Sequence, residues 1–591
     1  MEFLSYDIEN YDYRRAGAAS RSIKEHLKRI GADADAIRRT MIAAYEAEMN
    51  VVIHSVGGRL EASFSDAQID VDVVDNGPGI PDIELAMTEG FSTAGAEART
   101  LGFGAGLGLP NIRRNSDRVR VTSRVGEGTR VSFTVYLKPG TTSAPRVISL
   151  YAYADRCRAC RRCLAACPTQ AMRVRNGAPV VLEHLCVDCA DCIGVCAPQA
   201  LTVRSEVSSL SDLTQRADMV LAVPPALLAG CGANHPPARV LAALRTLGFA
   251  DVITVAPFEA VLREAAWRET TRREATRREA TQREDPPARG DGCSGRGPLI
   301  VPSCPAVVNL IELRFPSLVP QLAPFESPWE ALQATYSDRP VAYVVSCPSQ
   351  RSALFANDQA EVPGSGASTR AEYLTPDLVR QAVMMKMHGQ AAVSVPRAAH
   401  AGAGAEAIAA ETDRGVAAAA TSETGVLLVT GMSHVIAVLE QVENGLLGDV
   451  GLVEPYACAG GCFGSPILFE DHHVALRRWN SARAGLDAGE AVLADACSAG
   501  DAASGGATRP AAATARRRPY AARPGIRLDA DMARAIEKLG HLQAVKRSLP
   551  GRDCGACGAP SCAALAEDVV MQRATVELCP YAYSEKEEPD R

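Results

Sequence analysis

Cysteine is the residue type whose spacing in this chain points most directly to chemistry. Residues 157–167 and 186–196 both follow the pattern C-x₂-C-x₂-C-x₃-C, and a proline follows each run directly or one residue later. Thiolates are soft, anionic donors that suit iron and zinc. The start of the chain lacks a basic stretch followed by an apolar one, so we expect a cytoplasmic protein, in which clustered cysteines favour metal over disulfides.

The two runs resemble those of bacterial two-cluster ferredoxins, in which the fourth cysteine of each run ligates the other cluster. The resemblance implies one [4Fe–4S] cluster on Cys157, Cys160, Cys163 and Cys196, and a second on Cys186, Cys189, Cys192 and Cys167. Structural zinc sites also use four thiolates. The interleaving of two runs argues against zinc here.

A third group of cysteines is dispersed, and spacing alone does not join its members, which are Cys304, Cys347, Cys458 and Cys462. The surrounding segments, such as "VPSCPAVVNLIELRF" and "EPYACAGGCFG", resemble the large-subunit domain of [FeFe]-hydrogenases. The resemblance implies that these thiolates hold the [4Fe–4S] part of the H-cluster, with Cys462 at the bridging position. Active enzymes of that family carry a proton-carrying Cys where Ser303 stands and a Lys where Gln350 stands. We therefore expect a cubane cluster without hydrogenase turnover.

A fourth group closes the chain and consists of Cys554, Cys557, Cys562 and Cys579. It resembles the small iron–sulfur domain of Rnf-complex and corrinoid iron–sulfur proteins, which implies one further [4Fe–4S] cluster and four in all. Zinc is again the alternative. The three cysteines outside the groups are predicted to be ordinary thiols or to lie in loops; they are Cys231, Cys293 and Cys497.

Polar residues near the start of the chain have the types and spacing of a nucleotide site. Glu46, Asn50 and His54 are four residues apart, so they share one face of a predicted helix. Asn50 can supply an oxygen to Mg²⁺, and Glu46 can position or deprotonate an attacking hydroxyl or water. Asp75 ends a predicted strand, where its carboxylate can accept a hydrogen bond from the adenine amino group.

Glycine-rich turns accompany these residues, because "DNGPGI" follows the strand and "GFGAGLGL" runs into a helix. Such a loop presents backbone N–H groups to phosphates. The ordered set resembles the GHKL ATPase superfamily. The resemblance implies an ATP site, with Mg²⁺, that comprises Glu46, Asn50, Asp75, Gly77, Gly79, Gly102, Gly104, Gly106, Gly108 and Thr129.

The branch of the superfamily can also be predicted. The short domain has no phospho-acceptor histidine domain ahead of it, which resembles the anti-sigma-factor serine kinases. We interpret His54 as a structural residue. A degenerate pocket that binds nucleotide without turnover is the alternative to a GHKL-type ATPase or serine kinase.

The length of 591 residues exceeds what one core can hold, so we expect several domains. The predicted fold class is multidomain α/β and α+β: a GHKL α/β sandwich, a (βαβ)₂ ferredoxin, a hydrogenase-like α/β domain and a small helical iron–sulfur domain. The expected domains are an ATP-binding domain at 1–140, a ferredoxin domain at 148–204, a hydrogenase-like domain at 205–495 with inserts at 268–297 and 396–425, a linker at 496–526 and an iron–sulfur domain at 527–585.

Charge and hydropathy narrow the class of partner. The formal charge of −7 is small for this length and argues against a dedicated nucleic-acid surface. No apolar run reaches the roughly 18–20 residues that span a bilayer, so we expect no membrane partner.

The combination predicts a redox- or H₂-responsive regulator, whose clusters act on a kinase-like domain that binds an anti-sigma-antagonist-like protein. The alternative is an electron-transfer or accessory subunit of an [FeFe]-hydrogenase or electron-bifurcating complex, with ferredoxin or hydrogenase subunits as redox partners. A third hypothesis, an active hydrogenase, is disfavoured by Ser303 and Gln350. Domains of the anti-sigma type often dimerise, which favours a homodimer.

Overall fold

The computed structural model describes residues 2–582 apart from 13–14, 94–105, 139–147, 204, 206–216, 283–296, 338, 359–370, 390–424, 483–512, 517–518 and 524–526. The chain divides into two compact units. The first comprises Met1–Ala144, Leu313–Ser317 and Ala521–Arg591, and the second comprises Pro145–Glu312 and Leu318–Tyr520.

The first unit contains a five-stranded antiparallel sheet. Its strands are β1 (Glu2–Ile8), β2 (Gly58–Phe64), β3 (Gln68–Asp75), β4 (Arg118–Arg124) and β5 (Gly128–Tyr136), in the order β1-β2-β3-β5-β4. Buried and exposed positions alternate along β2, where Leu60 is buried while Arg59 and Glu61 are exposed. This period of two is expected for a sheet that packs one face on a core and turns the other to water.

Helices cover the buried face of this sheet. They are α1 (Ala18–Ile30), α2 (Ala34–His54) and α4 (Gly108–Arg114), and a further short helix, α3 (Ile83–Ala86), has no buried residue. The Asp33 side chain caps α2 by accepting hydrogen bonds from the N–H groups of Asp35 and Ala36. The predicted α/β sandwich is confirmed, with α1 and α2 as its long helices.

The second unit begins with a small cysteine-rich region built from two similar halves. The first half is β6 (Leu150–Ala152), α5 (Arg162–Ala166) and β7 (Met172–Arg175), and the second is β8 (Ala178–Val181), α6 (Asp191–Gly194) and β9 (Leu201–Val203). β6 pairs with β9 and β7 pairs with β8, both antiparallel. This order of elements is the one that the (βαβ)₂ prediction requires.

Two parallel sheets follow. The four-stranded sheet has the order β11-β10-β13-β14, with β10 (Val220–Val223), β11 (Asp251–Thr254), β13 (Val341–Val344) and β14 (Ala371–Leu374). The three-stranded sheet has the order β12-β16-β15, with β12 (Leu299–Ile300), β15 (Gly425–Thr430) and β16 (Val450–Tyr456). Every residue of β10 and β13 is buried, as expected for parallel strands covered on both faces.

The helices of this region are α7 (Pro225–Ala229), α8 (Pro237–Arg245), α9 (Ala256–Gln282), α10 (Pro305–Arg314), α11 (Pro328–Thr335), α12 (Pro348–Asp358), α13 (Pro376–Gly389) and α14 (Met432–Glu443). Residues 268–282 of the first predicted insert therefore belong to α9. Ion pairs line this part of the helix, including Arg268 with Glu264 at 2.5 Å and Arg272 with Glu269 at 2.7 Å. The remainder of both inserts and most of the predicted linker lie outside the described residues.

The last two helices belong to the first unit and are α15 (Met532–Ser548) and α16 (Cys562–Val570). Asp531 caps α15 and Ser561 caps α16, each through a side-chain oxygen that accepts a backbone N–H. Buried residues of both helices, among them Leu539 and Leu565, belong to the same hydrophobic core as α1, α2 and the five-stranded sheet. The structure thus places the C-terminal iron–sulfur segment in one compact unit with the N-terminal domain.

Candidate functional site

The helix α2 brings two of the predicted nucleotide residues against the start of α4. Asn111 on α4 donates a hydrogen bond from Nδ2 to Glu46 Oε1 at 2.6 Å. Burial raises the pKa of Glu46 above its usual value, while the hydrogen bond from Asn111 opposes the rise. A Cβ on Gly108 would lie 2.9 Å from Asn50 Oδ1, so glycine allows α4 to begin close to the Asn50 amide.

The second part of the pocket is the turn after β3. Asp75 Oδ1 accepts a hydrogen bond from the Gly77 N–H at 2.7 Å, which fixes the carboxylate at the end of the strand. Gly79 has a φ of 73°, and a Cβ there would lie 2.1 Å from the Arg124 carbonyl oxygen. Only glycine fits such a position without moving the backbone.

Thr129 lies beneath this turn and is buried. Its Oγ1 is 2.9 Å from Ser123 Oγ, and that oxygen accepts a hydrogen bond from the Ile80 N–H at 2.7 Å. Ser123 and Thr129 therefore hold the turn against the sheet. Sequence analysis missed Ser123 and Asn111, although Asn111 follows Gly108 by three residues on the same short helix.

The phosphate loop is described in part. Gly102 and Gly104 lie outside the described residues. Gly106 has a φ of 72°, and its carbonyl oxygen accepts a hydrogen bond from the Gly90 N–H at 3.0 Å. His54 is half-buried, and burial lowers its pKa while the Asp75 carboxylate opposes the change. The histidine thus lies near the predicted adenine-binding carboxylate.

The structure places thiols of the first two cysteine runs close enough to affect one another's pKa, and which four share a cluster stays a prediction. Burial is the largest cause that raises the pKa of Cys163 to about 11, followed by the neighbouring thiols Cys157, Cys160 and Cys196. Cys196 comes from the second run, so the last cysteine of that run lies with the first three of the other. We call these four thiols the first cage.

The second cage has the reciprocal arrangement. Burial raises the pKa of Cys192 well above its usual value, followed by the effects of Cys167 and Cys186. Burial also raises that of Cys189, and both Asp191 and Cys167 add to the rise. Cys167 comes from the first run. Binding of a cationic cluster would reverse these shifts, because metals bind thiolates and release their protons.

Backbone N–H groups point at sulfur in both cages. Ala159 donates to Cys157 Sγ at 3.4 Å, and Ala171 donates to Cys167 Sγ at 3.2 Å. In the described part of the chain, no three Cys, His, Asp or Glu side chains converge closely enough to coordinate one ion. Hydrogen bonds to the sulfurs are among the features that set the reduction potentials of iron–sulfur clusters.

The dispersed cysteines form the third cage. Burial raises the pKa of Cys347 to about 12, with Cys304 as the next cause. Burial likewise raises the pKa of Cys458, on which Cys347 and Cys304 also act. Burial is also the largest cause of the raised pKa of Cys462, followed by Glu259 and then by the other three thiols of the group. The structure therefore joins residues that spacing alone could not.

Glycines make the last turn of the third cage feasible. Gly460 and Gly461 have φ values of 71° and 70°, and they separate Cys458 from Cys462. A Cβ on Gly464 would lie 1.7 Å from the Ala459 carbonyl oxygen. A residue with a Cβ atom could not adopt this backbone conformation without a steric clash.

Gln350, which replaces the lysine of active hydrogenases, contacts this cage. Its Nε2 lies 3.8 Å from Cys462 Sγ as donor, and its Oε1 accepts a hydrogen bond from the Ser346 N–H at 2.7 Å. The side chain is buried, at 2% exposure. The position thus provides a neutral donor to sulfur in place of a cation.

An ionic cluster that sequence analysis missed lies beside Cys462. Arg263 on α9 donates to both carboxylate oxygens of Glu454, with Nη2–Oε1 at 2.8 Å, and Tyr456 donates from its hydroxyl to Oε1 at 2.7 Å. The positive charge of Arg263 offsets the negative charge of Glu454. The side of the third cage next to Cys462 is therefore polar, and these two charged groups are paired with each other.

The second cage is tied to the third by a buried hydrogen-bond network. Asp188 Oδ2 accepts hydrogen bonds from the Ser149 N–H at 3.2 Å and from Ser352 Oγ at 2.5 Å. Ser352 is on α12, which begins directly after Cys347. Asn309 on α10 also donates to the Val187 carbonyl oxygen at 3.3 Å. The loop of the second run is therefore fixed to the helices that follow two thiols of the third cage.

The fourth cysteine group lies at the base of α16. Asp553 Oδ1 accepts a hydrogen bond from the Cys562 N–H at 2.6 Å, which closes the loop that carries Cys554 and Cys557. Gly555 and Gly558 have positive φ values of 69° and 76°. Cys579 is buried, whereas Cys554 is exposed. Of the ungrouped cysteines, Cys231 is buried, and Cys293 and Cys497 lie outside the described residues.

Three family models match separate parts of the chain. The histidine kinase-, DNA gyrase B- and HSP90-like ATPase family matches residues 36–139, the C-terminal domain of the iron-only hydrogenase large subunit matches 217–345, and an Fe-S cluster family matches 549–581. The first range contains Glu46 and Asn50, and the last contains the whole fourth cysteine group. The hydrogenase match contains Cys304 and ends two residues before Cys347.

The N-terminal domain is also similar to a serine/threonine-protein kinase and to an anti-sigma factor. The serine/threonine-protein kinase RsbT of Bacillus subtilis is 42% identical over 64 residues, and the anti-sigma F factor of Caldanaerobacter subterraneus is 32% identical over 103 residues. These matches cover 11% and 17% of this chain and 42% and 64% of the relatives. The chain thus spans less than two thirds of either relative's length.

Solved structures with similar folds include an [FeFe]-hydrogenase from Chlamydomonas reinhardtii, at 14% identity and a TM-score of 0.30, covering 46% of this chain and 85% of that chain. The mycobacterial sensor histidine kinase MprB aligns at 22% identity and a TM-score of 0.14, covering 17% of this chain and 72% of that chain. With TM-scores this low, the family models and curated relatives carry the assignment.

The chain is therefore a multidomain iron–sulfur protein with a hydrogenase-like domain and a kinase-like ATPase domain of the GHKL class. Within that class its ATPase domain is similar to the anti-sigma F and RsbT kinases. None of the helices that the structure describes combines the length and apolar character needed to cross a bilayer.

Proposed function

We propose that this protein is a redox-responsive regulator in which iron–sulfur clusters control nucleotide binding or turnover by the GHKL domain. The observation that carries the proposal is the shared core of the first unit. The C-terminal iron–sulfur segment and the ATPase helices bury their apolar residues in one hydrophobic core. A structural change at the fourth cysteine group would therefore be transmitted to the ATPase domain.

Direct contacts join α15 to α1. Gln543 Nε2 lies 2.9 Å from His26 Nε2, and the Leu528 N–H donates to the Arg29 carbonyl oxygen at 2.9 Å. The His26 ring stacks on Phe64 of the sheet, with ring centroids 5.4 Å apart. The C-terminal segment is thus held by polar contacts as well as by apolar packing.

A buried carboxylate continues this connection from α1 to the nucleotide helix. Glu48 on α2 accepts hydrogen bonds from three N–H groups at the start of α1, those of Gly17 at 2.9 Å, Ser20 at 3.2 Å and Ala19 at 3.3 Å. Glu48 stands between Glu46 and Asn50 in the sequence. A displacement of α1 would therefore move the part of α2 that carries both proposed ATP residues.

The nucleotide chemistry rests on the residues of the pocket. Asp75 would select adenine, Asn50 would hold Mg²⁺, and backbone donors at the start of α4 would stabilise phosphoryl charge. Glu46 would position or deprotonate the accepting hydroxyl. The similarity to anti-sigma F factor and RsbT supports a serine kinase acting on an anti-sigma-antagonist-like protein.

The proposed cofactors are four [4Fe–4S] clusters, one for each cysteine group. The donor sets fit, because each group supplies four thiols and the first two receive N–H···S hydrogen bonds. When bound, the clusters would supply one-electron redox changes. The residues around them would orient the thiolates, and they bury three thiols of the second cage and Cys304 of the third.

The test compares nucleotide binding in two redox states. Anaerobically purified protein, with about 16 irons per chain at four per cluster, is titrated with Mg²⁺-ATP when oxidised and after dithionite reduction. We expect a several-fold difference in Kd or turnover. In C557S the difference should be lost while the electron paramagnetic resonance signals of the ferredoxin-type clusters remain. C231S, at a buried thiol outside the cages, is the control. Equal affinity and turnover in both redox states contradict the proposal.

A second candidate function, an electron-transfer subunit, is favoured by the hydrogen-bond network between the second and third cages. It predicts copurification with hydrogenase or diaphorase subunits. It also predicts that ATP affinity does not depend on the redox state.

A further inference from the structure

We propose that four exposed arginines around the first cage form the docking surface for an acidic electron-carrier protein. These residues, which we call the arginine ring, are Arg156, Arg158, Arg161 and Arg162. The inference rests on the proposed redox function and assigns the place where electrons reach the protein. One electron passes from the reduced carrier to the first cluster, so the carrier is oxidised and the cluster reduced, with no bond made or broken.

The ring is exposed and its charge is largely unpaired. Within the described residues, Arg158, Arg161 and Arg162 make no hydrogen bond or ion pair through their side chains. Arg156 lies over the Tyr153 ring, with its guanidinium carbon 4.1 Å from the ring centroid. Asp155 is the sole acidic residue between 154 and 170. The surface is therefore strongly basic on a chain whose formal charge is −7.

The second cysteine run is an internal control for the first. The two runs are offset by 29 residues, and they share an unusual backbone. Ala159 and Asp188 have φ values of 50° and 56°, and Arg161 and Ala190 have values of 62° and 72°. The same cysteine spacing thus imposes the same left-handed positions in both runs.

The side chains at the ring positions nevertheless differ completely. The positions that correspond to the arginine ring in the second run are Leu185, Val187, Ala190 and Asp191. Since those residues support the same fold, neither the cage nor its backbone requires arginine. At Arg161 the large side chain even occupies a left-handed position, which is costly for most residues. The arginines therefore serve something outside the cage.

Exposure shows which cage a carrier can approach. Cys160 of the first run is exposed, whereas Cys186, Cys189 and Cys192 are 8%, 9% and 7% exposed. Leu185 and Val187 occupy the positions that correspond to Arg156 and Arg158, and they are 4% and 1% exposed. The second run thus faces the interior of its unit, and the first run faces solvent. Of these two cages, the first therefore has the shorter path from solvent, and together with its arginines this makes it the proposed place where electrons enter.

The chemistry of the ring selects the partner. Guanidinium groups pair with carboxylates in a planar, bidentate way, and a basic patch raises the association rate of an acidic partner. A groove of about 790 Å³ adjoins the ring, lined by Arg162, Ala166, Cys196 and Pro466 among others. It offers apolar contact area beside the charges. An acidic protein carrier fits both features, because its carboxylates meet the ring while its redox centre faces the first cage.

The experiment uses the full chain and a matched pair of variants. R158E/R162E reverses two ring charges, and R245E/R477E reverses two exposed arginines elsewhere in the same unit. The probe is a small acidic [2Fe–2S] ferredoxin, reduced with dithionite and then freed of excess reductant. Stopped-flow absorbance measures the second-order rate of electron transfer, and calorimetry measures the Kd of the oxidised ferredoxin.

We expect R158E/R162E to lower the rate and weaken binding about tenfold. R245E/R477E should remain within about twofold of the unchanged protein. Raising the salt from about 0.1 M to 1 M, which shortens the Debye length from about 10 to 3 Å, should remove most of the difference. Reduction by methyl viologen, a cationic small molecule, should not be slowed in either variant.

Three results would overturn the inference. One is an equal ferredoxin rate and Kd in both variants with full iron content, which leaves the redox function standing and removes the docking surface. Another is equal slowing by both variants, which indicates net charge alone. The third is ring-dependent binding of duplex DNA or anionic vesicles without ferredoxin binding. Absence of iron from the unchanged protein would instead contradict the proposed function.

Discussion

Single residues in the nucleotide pocket account for what the proposed chemistry needs. Glu46 is half-buried beside Asn111, so its carboxyl is held by one neutral amide and no cation within the described pocket. Its raised pKa suits a group that must take a proton during phosphoryl transfer.

The titration of Glu46 gives a prediction. Because burial raises its pKa, the base form is lost at a higher pH than for an ordinary carboxyl, and turnover should fall as the pH drops through that raised value. Glu46→Gln should remove about 100-fold or more of the turnover and flatten this acidic limb, with ATP affinity retained. Initial rates between pH 5 and 8 check this.

The matched control is Glu61→Gln, at an exposed carboxylate on β2. It should retain both the rate and the acidic limb. An unchanged acidic limb in Glu46→Gln would assign the titration to another group.

At the scale of elements, the sequence predicted local features well and tertiary pairings poorly. The i, i+4 spacing of Glu46 and Asn50 correctly indicated a shared helix face. Glu48 received no role, because its partners are backbone N–H groups on a different helix, and nothing in its own surroundings signals them. The first two cages are implied by the ferredoxin resemblance, whereas the contact of Asp188 with Ser352, across 164 positions of sequence, has no local signal.

The link between α1 and α2 gives the second prediction. Glu48→Ala leaves three buried N–H groups at the start of α1 without their acceptor, so we expect a loss of about 1–3 kcal/mol in the free energy of unfolding. It should also weaken the effect of cluster reduction on ATP affinity. Denaturant melts and ATP titrations in both redox states measure the two effects.

Glu48→Gln separates these outcomes, because it retains an acceptor oxygen while removing the charge. It should recover part of the stability and part of the redox response. Full redox response in a stably folded Glu48→Ala protein would show that the signal does not pass through α1.

At the scale of the whole molecule, metal binding joins distant segments. The first cage takes Cys157, Cys160 and Cys163 from one run and Cys196 from the other, and the third cage takes thiols from 304 to 462. Each bound cluster would close a long loop and so reduce the entropy of the unfolded chain. We therefore expect metal binding to contribute to the stability of the second unit.

Removing iron gives the third prediction. Anaerobic treatment with ferricyanide and a chelator should lower the melting temperature of the second unit by about 10 °C or more, because ligand binding contributes directly to folding. A lower-temperature transition should appear in calorimetry and revert on reconstitution with iron and sulfide. A melting profile that does not change on iron removal would show that the clusters add no stability.

The two-part composition of the first unit has a consequence for how the protein is made. The apolar side of α1 that α15 covers stays open during translation until residues 532–548 emerge, long after the ATPase sheet has left the ribosome. Throughout that interval the nascent kinase-like domain lacks the segment that we propose controls it. If the chain stalls or is cleaved inside the second unit, the released ATPase domain would therefore not respond to the redox state of the clusters.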